Sequence, residues 1–529
     1  MTLMLGSGKA ANRVAAAAGY LHSTPKRKPS TSSRRSSRNE TGKLGRTAIR
    51  RRLSVCAAST HPVETGEGET PSILASPYEG KTAIVVGAGP AGTVAGIQLA
   101  RRGFNVKVVE KRPKPSKVDI HRSIVFMLNP EVSEFLLELG VDVATHPSEE
   151  GLTEFVDATR IMENGEILHV SGVPKRQFLN ERHVVAESIL KLGMSPALPN
   201  LEFIFDSECM NIDIDSKVVK FSTLDGETVN DFHYDLLVGA DGVNSRVREA
   251  LQSSGHLEFT QRKAAKQYLS VRDLPFPKEA PSEFSDRLQV GSFTLMLLKE
   301  VENGPTAMYI YQTKNGLVQA SAAGDFGCFD SIKGRELEWI TKAVPDCFPK
   351  DFLQPIAERL HDSKPSRTGP VTYCSSYIGP NEALIGDSCH SVTPTFGIGA
   401  NLAILDGRDL GKAFGSPNGN ISEALQKYDE QCRPQVKALQ ELEGFQPNAG
   451  LEGQNPIWSL FIPLYTSFHL FGNKKFPNIV PRSATAQMIS STVTPVEALQ
   501  IFKRSVAIWA GIAGVLGVLG FSATLQVLL

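Results

Sequence analysis

Gly87-Ala88-Gly89-Pro90-Ala91-Gly92 follows the apolar, β-branched run "TAIVV" and opens "AGTVAGIQLARRG", which reads as a helix. Gly87 permits a tight turn, Gly89 lets the backbone approach a pyrophosphate, and Gly92 lets the helix pack close to the strand. Phosphates then meet the positive end of the helix. A second strand, "NVKVVE", ends in Glu110, 23 residues after Gly87. There a carboxylate can accept both hydroxyls of an adenosine ribose. Strand, turn, helix and terminal acid in this order read as a nucleotide site.

Two further motifs say which nucleotide. "YDLLVGADGVNSRVR" supplies a buried strand followed by Gly239, Asp241, Gly242, Ser245 and Arg248. "EALIGDSCHSVTPTFGIGANLAILD" supplies a strand, then Gly386 and Asp387, then Pro394, Gly397, Gly399, Asn401 and Asp406. A carboxylate at the end of such a strand can accept a bond from the ribityl chain of FAD. The glycine-rich loop opens a helix at Gly399-Ala400-Asn401, whose free amides face the electron-rich edge of the isoalloxazine. That helix end favours the anionic reduced flavin by about 1 kcal/mol. His390, in G-D-x-x-H, is expected to pack at the loop rather than to act as a base.

In this order the three motifs resemble the group A flavoprotein monooxygenases of the para-hydroxybenzoate hydroxylase fold, over roughly residues 80–435. Within that group the chain is most similar to the kynurenine 3-monooxygenases. "VEKR" (109–112), "HRSI" (121–124), the 386–406 motif and "FIPLYT" (461–466) carry the likeness. The resemblance implies that Ala91, Glu110, Arg112, Met127, Arg182, Asp387, Ala400 and Asn401 surround FAD. Arg182 is preferred to Arg176 because it begins the helical run "RHVVAESILKL". It also implies that Arg160 grips a substrate carboxylate through two parallel hydrogen bonds, and that Tyr465 meets the substrate ring. NADPH or NADH would dock transiently and reduce the flavin, and a flavin hydroperoxide formed with dioxygen would hydroxylate an aromatic, kynurenine-like molecule. The departures lie at the pocket. No tyrosine falls between Arg160 and Arg182, and Tyr428, Gln431 and Cys432 stand where the family pattern has Asn, Glu and Met. Tyr428 is thereby expected on a larger, less acidic pocket wall. Two other readings share the flavin motifs: a plastid flavoenzyme acting on a terpenoid as epoxidase or reductase, and a membrane-tethered FAD-binding redox or docking module without turnover.

The elements that must position these groups alternate between strand and helix signals. They predict an α/β fold: an FAD-binding Rossmann-like domain of the GR2 type (81–260 and 376–435) with an inserted mixed β-sheet substrate domain (151–180 and 261–375). Partial alternation in "QYLSVRDL", "RLQVGSFTLMLL" and "TAMYIYQTKNGLVQASAAG" gives the inserted strands. A C-terminal helical region (436–505) leads to a transmembrane tail.

The ends carry addresses rather than chemistry. Residues 1–60 hold 13 of the 56 Lys/Arg and one of the 56 Asp/Glu, and are rich in Ser and Ala, as organelle transit peptides are. A linker follows at 61–80. Residues 506–529 are 24 in number and uncharged, and about 20 suffice to cross a bilayer. They read as an anchor, with Lys503 and Arg504 on the catalytic side. The expected location is a chloroplast membrane, with a mitochondrial membrane as the alternative. The chain beyond residue 60 has 43 basic and 55 acidic residues, which gives no reason to expect nucleic acid. Seven cysteines without a C-x-x-C pair argue against a zinc site or a disulfide scaffold.

Overall fold

Thr82–Val86 is almost wholly buried because it sits at the centre of a five-stranded parallel sheet, in a core shared with the helix Pro90–Arg101 and with the antiparallel strands Ser207–Asp213 and Val218–Thr223. The strand order is Glu382–Leu384, Leu236–Gly239, Thr82–Val86, Asn105–Val109 and Leu201–Ile204, every pairing parallel. Gly87, Glu110, Asp241 and Asp387 all fall just past the carboxyl ends of these strands. In an open α/β sheet that edge is where ligands bind.

The computed structural model describes residues 76–528 except 115–124, 142–152, 155–156, 171–177, 224–225, 227–228, 278–287, 289, 314–315, 450 and 452–454; in the last helix it describes side chains only as far as Gly511. The transit peptide at 1–60, the linker up to residue 75 and Arg176 lie outside the described residues.

A second, seven-stranded sheet is mixed. Its order is Ser366–Arg367, Lys266–Leu274, Val318–Asp325, Ala307–Gln312, Ser292–Leu297, Asp157–Ile161 and Ile167–Val170. Only the pairing of Ser292–Leu297 with Asp157–Ile161 is parallel among these. One face is apolar and closed: Ile161, Leu269, Val271, Met296, Met308, Ile310, Ala320 and Ala322 pack on Trp339, Ile340, Ile356 and Leu360 from the helices Glu336–Ala343 and Leu353–Asp362. The period of two leaves Arg160, Leu295 and Tyr309 on the opposite, open face.

The C-terminal helices close over the 394–398 loop. Phe396 and Ile398 of the loop share a core with Leu439 and Leu442 of Ile421–Gly444, Ile462 and Tyr465 of Ile457–Lys475, and Ala498 and Phe502 of Pro495–Leu528. Among the described residues no helix is long and apolar enough to cross a membrane. The expected anchor at 506–529 continues the Pro495–Leu528 helix, but most of its side chains lie outside the described residues.

Candidate functional site

Three glycines shape the first turn in different ways. Gly87 has φ +104°, and a Cβ there would stand 2.4 Å from the Ala240 carbonyl oxygen. At Gly92 a Cβ would stand 2.0 Å from the Gly87 carbonyl oxygen. Gly89 differs, because a Cβ there would meet nothing within 4 Å. Its missing side chain therefore leaves a space that the fold itself does not use. The Pro90–Arg101 helix begins beside that space with no side-chain cap and no acid in its first turn, so the amides of Ala91 and Gly92 stand at its positive end. Glu110 is aimed at the same place. Its Oε2 accepts from the Ala88 N–H at 2.8 Å and its Oε1 from the Arg112 N–H at 3.0 Å, which leaves further lone pairs on both oxygens. The Arg112 side chain is exposed.

Asp241 is half satisfied. Its Oδ2 accepts from the Arg246 N–H at 2.7 Å, whereas its Oδ1 is buried without a partner. Burial raises its carboxyl above the usual range. Gly242, at φ +78°, turns the chain away beneath it. Arg248 ties this motif to the next, donating to the Ser388 and Val243 carbonyls at 2.8 Å each with its guanidinium over the Phe259 ring.

Asp387 is exposed to solvent just past the Glu382–Leu384 strand, with protein around it on most sides. That enclosure raises its carboxyl, while His390 and Arg182 act in the opposite direction. Arg182, exposed at the start of Arg182–Gly193, also acts on the Tyr268 hydroxyl. It thus stands between the nucleotide cleft and the second sheet. His390 is buried with its Nε2 2.5 Å from Asp406 Oδ2, which also accepts the Gly386 N–H at 2.7 Å. Burial would depress the imidazole, but Asp406 outweighs it and the ring titrates above its ordinary value. Cys389 completes a trio with ligand atoms within 4.8 Å. The His390–Asp406 separation is one at which a proton, not a metal ion, joins two groups.

The 394–398 loop turns through Gly397 at φ +67° and opens the Gly399–Ala413 helix, which has no side-chain cap. The amides of Gly399, Ala400 and Asn401 stand at its free end. The Asn401 side chain is spent elsewhere. Its Nδ2 donates to the Met127 carbonyl at 2.8 Å and its Oδ1 accepts from the Asn129 N–H at 3.0 Å, so it joins this helix to the Val125–Leu128 strand. Asn401 therefore offers the cleft its backbone amide rather than its carboxamide.

Arg160 lies on Asp157–Ile161, level with Leu295, which is level with Tyr309. Burial raises the Tyr309 hydroxyl and Arg160 lowers it, so the two side chains are electrostatic neighbours. Tyr309 was not singled out in the sequence; its two-residue period opposite Met308 and Ile310 is the signal that finds it. Tyr268, through the pairs Tyr268–Ala323, Ala323–Ala307 and Ala307–Leu297, belongs to the same open face. Tyr465 is not with them. It is buried among Phe461, His469 and Phe502, accepts from the Ala484 N–H at 3.2 Å, and supports the 394–398 loop from behind. Among the described residues no hydrogen bond or ring contact joins it to Arg160.

Tyr428, expected on the pocket wall, is instead a core residue. It is 0% exposed and donates to the Leu384 carbonyl at 3.0 Å, behind the Glu382–Leu384 strand. The amphipathic period of Ile421–Gly444 turns it inward with Leu425 and Cys432, and the pocket inference drawn from it falls.

A parallel sheet with three acid- and glycine-bearing carboxyl ends and two uncapped helix starts defines a dinucleotide-binding protein. The chain belongs to the FAD binding domain family, whose model matches residues 81–442. It is similar to violacein synthase of Chromobacterium violaceum, 24% identical over 444 residues, covering 81% of this chain and 98% of that protein. Kynurenine 3-monooxygenase of Salinispora arenicola is 24% identical over 375 residues, covering 68% and 78%. Among solved structures, the tetrameric form of 2-methyl-3-hydroxypyridine-5-carboxylic acid oxygenase superposes with a TM-score of 0.54 at 17% identity over 78% of this chain and 96% of that one. PqsL of P. aeruginosa, in complex with 2-aminobenzoylacetate, gives 0.53 at 19% over 72% and 99%. The fold is that of the group A flavin monooxygenases, and the protein is an FAD-dependent enzyme of that kind.

Proposed function

We propose that the enzyme uses NADPH or NADH to hydroxylate an aromatic small molecule bearing a carboxylate. The observation that carries this reading is the open sheet face, where Arg160 neighbours Tyr309 and where Tyr268 meets Arg182 at the edge of the Asp387 cleft. A guanidinium beside a tyrosine on a half-enclosed face suits an aromatic acid, the fork taking the carboxylate and the ring the π-face.

The residues present fit FAD. The open space at Gly89, the buried Asp241 Oδ1 without a partner and the free helix starts, all past the carboxyl ends of one parallel sheet, support that fit. Gly87, Gly89, Ala91 and Gly92 would hold the pyrophosphate, Glu110 the ribose, and Arg112, Met127, Arg182, Asp241, Gly242 and Asp387 the rest of the chain between the rings. Pro394, Gly397, Gly399, Ala400 and the Asn401 amide would border the isoalloxazine. When bound, FAD supplies two-electron reduction and the activation of dioxygen. Arg160 and Tyr309 then orient the substrate, the sheet and C-terminal helices keep water out, and Asp406 holds His390 and Gly386 so that the loop keeps its shape.

The acid-poor first 60 residues support import into a plastid, with a mitochondrion as the alternative, and the uncharged 506–529 segment supports membrane attachment. The test is NADPH oxidation by the purified, FAD-loaded protein across a panel of aromatic acids. Stimulation by one of them, with hydroxylated product, supports the reading; no stimulation by any aromatic acid, with stimulation by an uncharged olefin, moves it to the terpenoid class.

A further inference from the structure

The 394–398 loop is gripped from behind by a buried acid. Glu443, near the end of Ile421–Gly444, is 1% exposed, and both of its oxygens reach Thr393. Oε1 lies 2.8 Å from the Thr393 hydroxyl and Oε2 accepts from the Thr393 N–H at 3.2 Å. On its other side the Thr393 Oγ1 lies 2.6 Å from Thr395 Oγ1. Thr395 is half-buried, beside the exposed Pro394 and Gly397. The same helix brings Gln440, which donates to the Thr372 carbonyl at 2.7 Å, and the neighbouring strand Val371–Cys374 brings Tyr373, whose hydroxyl is raised by burial, lowered by Arg262 and raised again by Glu443.

A threonine hydroxyl has one proton, so Thr393 cannot donate to Glu443 and to Thr395 together. With Glu443 ionised, Thr393 donates to Oε1 and Thr395 donates inward to Thr393. With Glu443 protonated, the acid donates to Thr393, Thr393 to Thr395, and the Thr395 proton turns to the cleft. We propose that Glu443, Thr393 and Thr395 form a proton relay between a buried carboxyl and the cleft bordered by residues 394–400. The proposal rests on reading that cleft as the flavin site.

The relay closes without rotation of any group. An anionic oxygen or nitrogen in the cleft takes the Thr395 proton, Thr395 takes that of Thr393, and Thr393 takes that of Glu443. Three O–H bonds break, two O–H bonds and one bond to the acceptor form, and the result is the ionised arrangement described above, with the carboxylate held by the Thr393 N–H and hydroxyl. Burial pushes the Glu443 carboxyl up to about 7, so both arrangements are populated near neutrality. Glu443 is a positioning and proton-holding residue, since it reaches the cleft only through the two threonines.

The experiment is a pH titration of the full chain, followed by the visible spectrum of bound FAD and, in FAD-free protein, by infrared difference at the protonated-carboxyl stretch. Wild type should show a flavin shift and a bleached carboxyl band sharing a midpoint near pH 7. Glu443→Gln should keep one FAD per chain and lose both signals. Thr395→Val should keep the band and lose the flavin shift, a decision that does not depend on whether the Glu443 variant folds. A flavin shift that persists in either variant, or a wild type without the carboxyl band, overturns the relay. If the chain binds no FAD, the reading of the cleft fails and the relay's outlet with it, while the infrared titration separately reports the proton at Glu443.

Discussion

Two glycines in one turn make opposite predictions, because one is closed in by backbone and the other by nothing. Gly92→Ala should destabilise the whole protein, since its Cβ would overlap the Gly87 carbonyl oxygen at 2.0 Å and neither backbone can yield cheaply. Gly89→Val should leave the melting temperature of the FAD-free protein unchanged and abolish FAD binding, because its side chain would occupy only the space left for the ligand. Thermal denaturation and flavin content separate the two, and a colourless Gly92→Ala with native stability would reverse the assignment. Tyr428 shows what a linear motif cannot tell. Its position in the sequence allowed a pocket wall, but a helix in contact with a sheet buries one side, and Tyr428 falls on that side. Tyr428→Asn should therefore cost about 3–5 kcal/mol, the scale of truncating a buried aromatic, and gain no activity. Denaturant midpoints would check the cost. Gly87 and Gly92 were legible because each answers to a local backbone demand; Tyr309 and Glu443 were not, because their partners lie on other elements.

At the scale of elements, the proposed substrate site depends on the second sheet. Its alternation was partly visible in the sequence, and Arg160 could be read as a ligand for a carboxylate. What alternation alone could not supply was which face the helices Glu336–Ala343 and Leu353–Asp362 would cover. Because they cover the Met296 and Met308 face, Arg160 remains on the open one beside Tyr309. Arg160→Ala should weaken binding of an aromatic acid by about 1.5–3 kcal/mol, the scale of a hydrogen bond to a charged group, with FAD content unchanged. Equilibrium titration of substrate against the flavin spectrum measures it; loss of FAD with unchanged substrate affinity would assign Arg160 to the cofactor instead. The loop behind that cleft makes a prediction about stability. The Glu443 carboxyl is raised from 4.5 to about 7 in the folded protein, so between those values the folded state holds a proton that the unfolded state has lost. Stability must fall as pH rises through this window and level off above it. Glu443→Gln, which cannot ionise, should therefore gain relative to wild type as pH rises from 5 to 8, by up to about 3 kcal/mol. Urea denaturation at the two pH values would reveal a pH-independent difference if the carboxyl is not in fact the cause.

At the scale of the whole molecule, the helix Ile457–Lys475 has one packed face and one exposed apolar face. Ile462, Tyr465 and His469 of Ile457–Lys475 turn inward to the loop, whereas Ile457, Leu460, Leu464, Phe468 and Phe471 are exposed at spacings of three and four residues. Phe468 packs edge-on against Trp509, which brings the exposed stripe beside the start of the uncharged 506–529 run. Lys474, Lys475, Lys503 and Arg504 lie nearby in sequence and suit an anionic lipid surface. A large apolar side chain contributes about 1.5–3 kcal/mol when fully buried, so even partial immersion of five of them amounts to several kcal/mol, enough for reversible attachment without a spanning segment. The tail and the stripe should thus act at two levels. The full chain should resist carbonate extraction from membranes. Deleting 506–529 should convert it to a peripheral protein that still sediments with anionic vesicles but is released by carbonate, and replacing Leu460, Leu464 and Phe471 with Glu in that shortened chain should release it into the soluble fraction. A shortened chain that stays soluble with its stripe intact, while retaining FAD, would mean that the stripe meets another protein surface and not lipid.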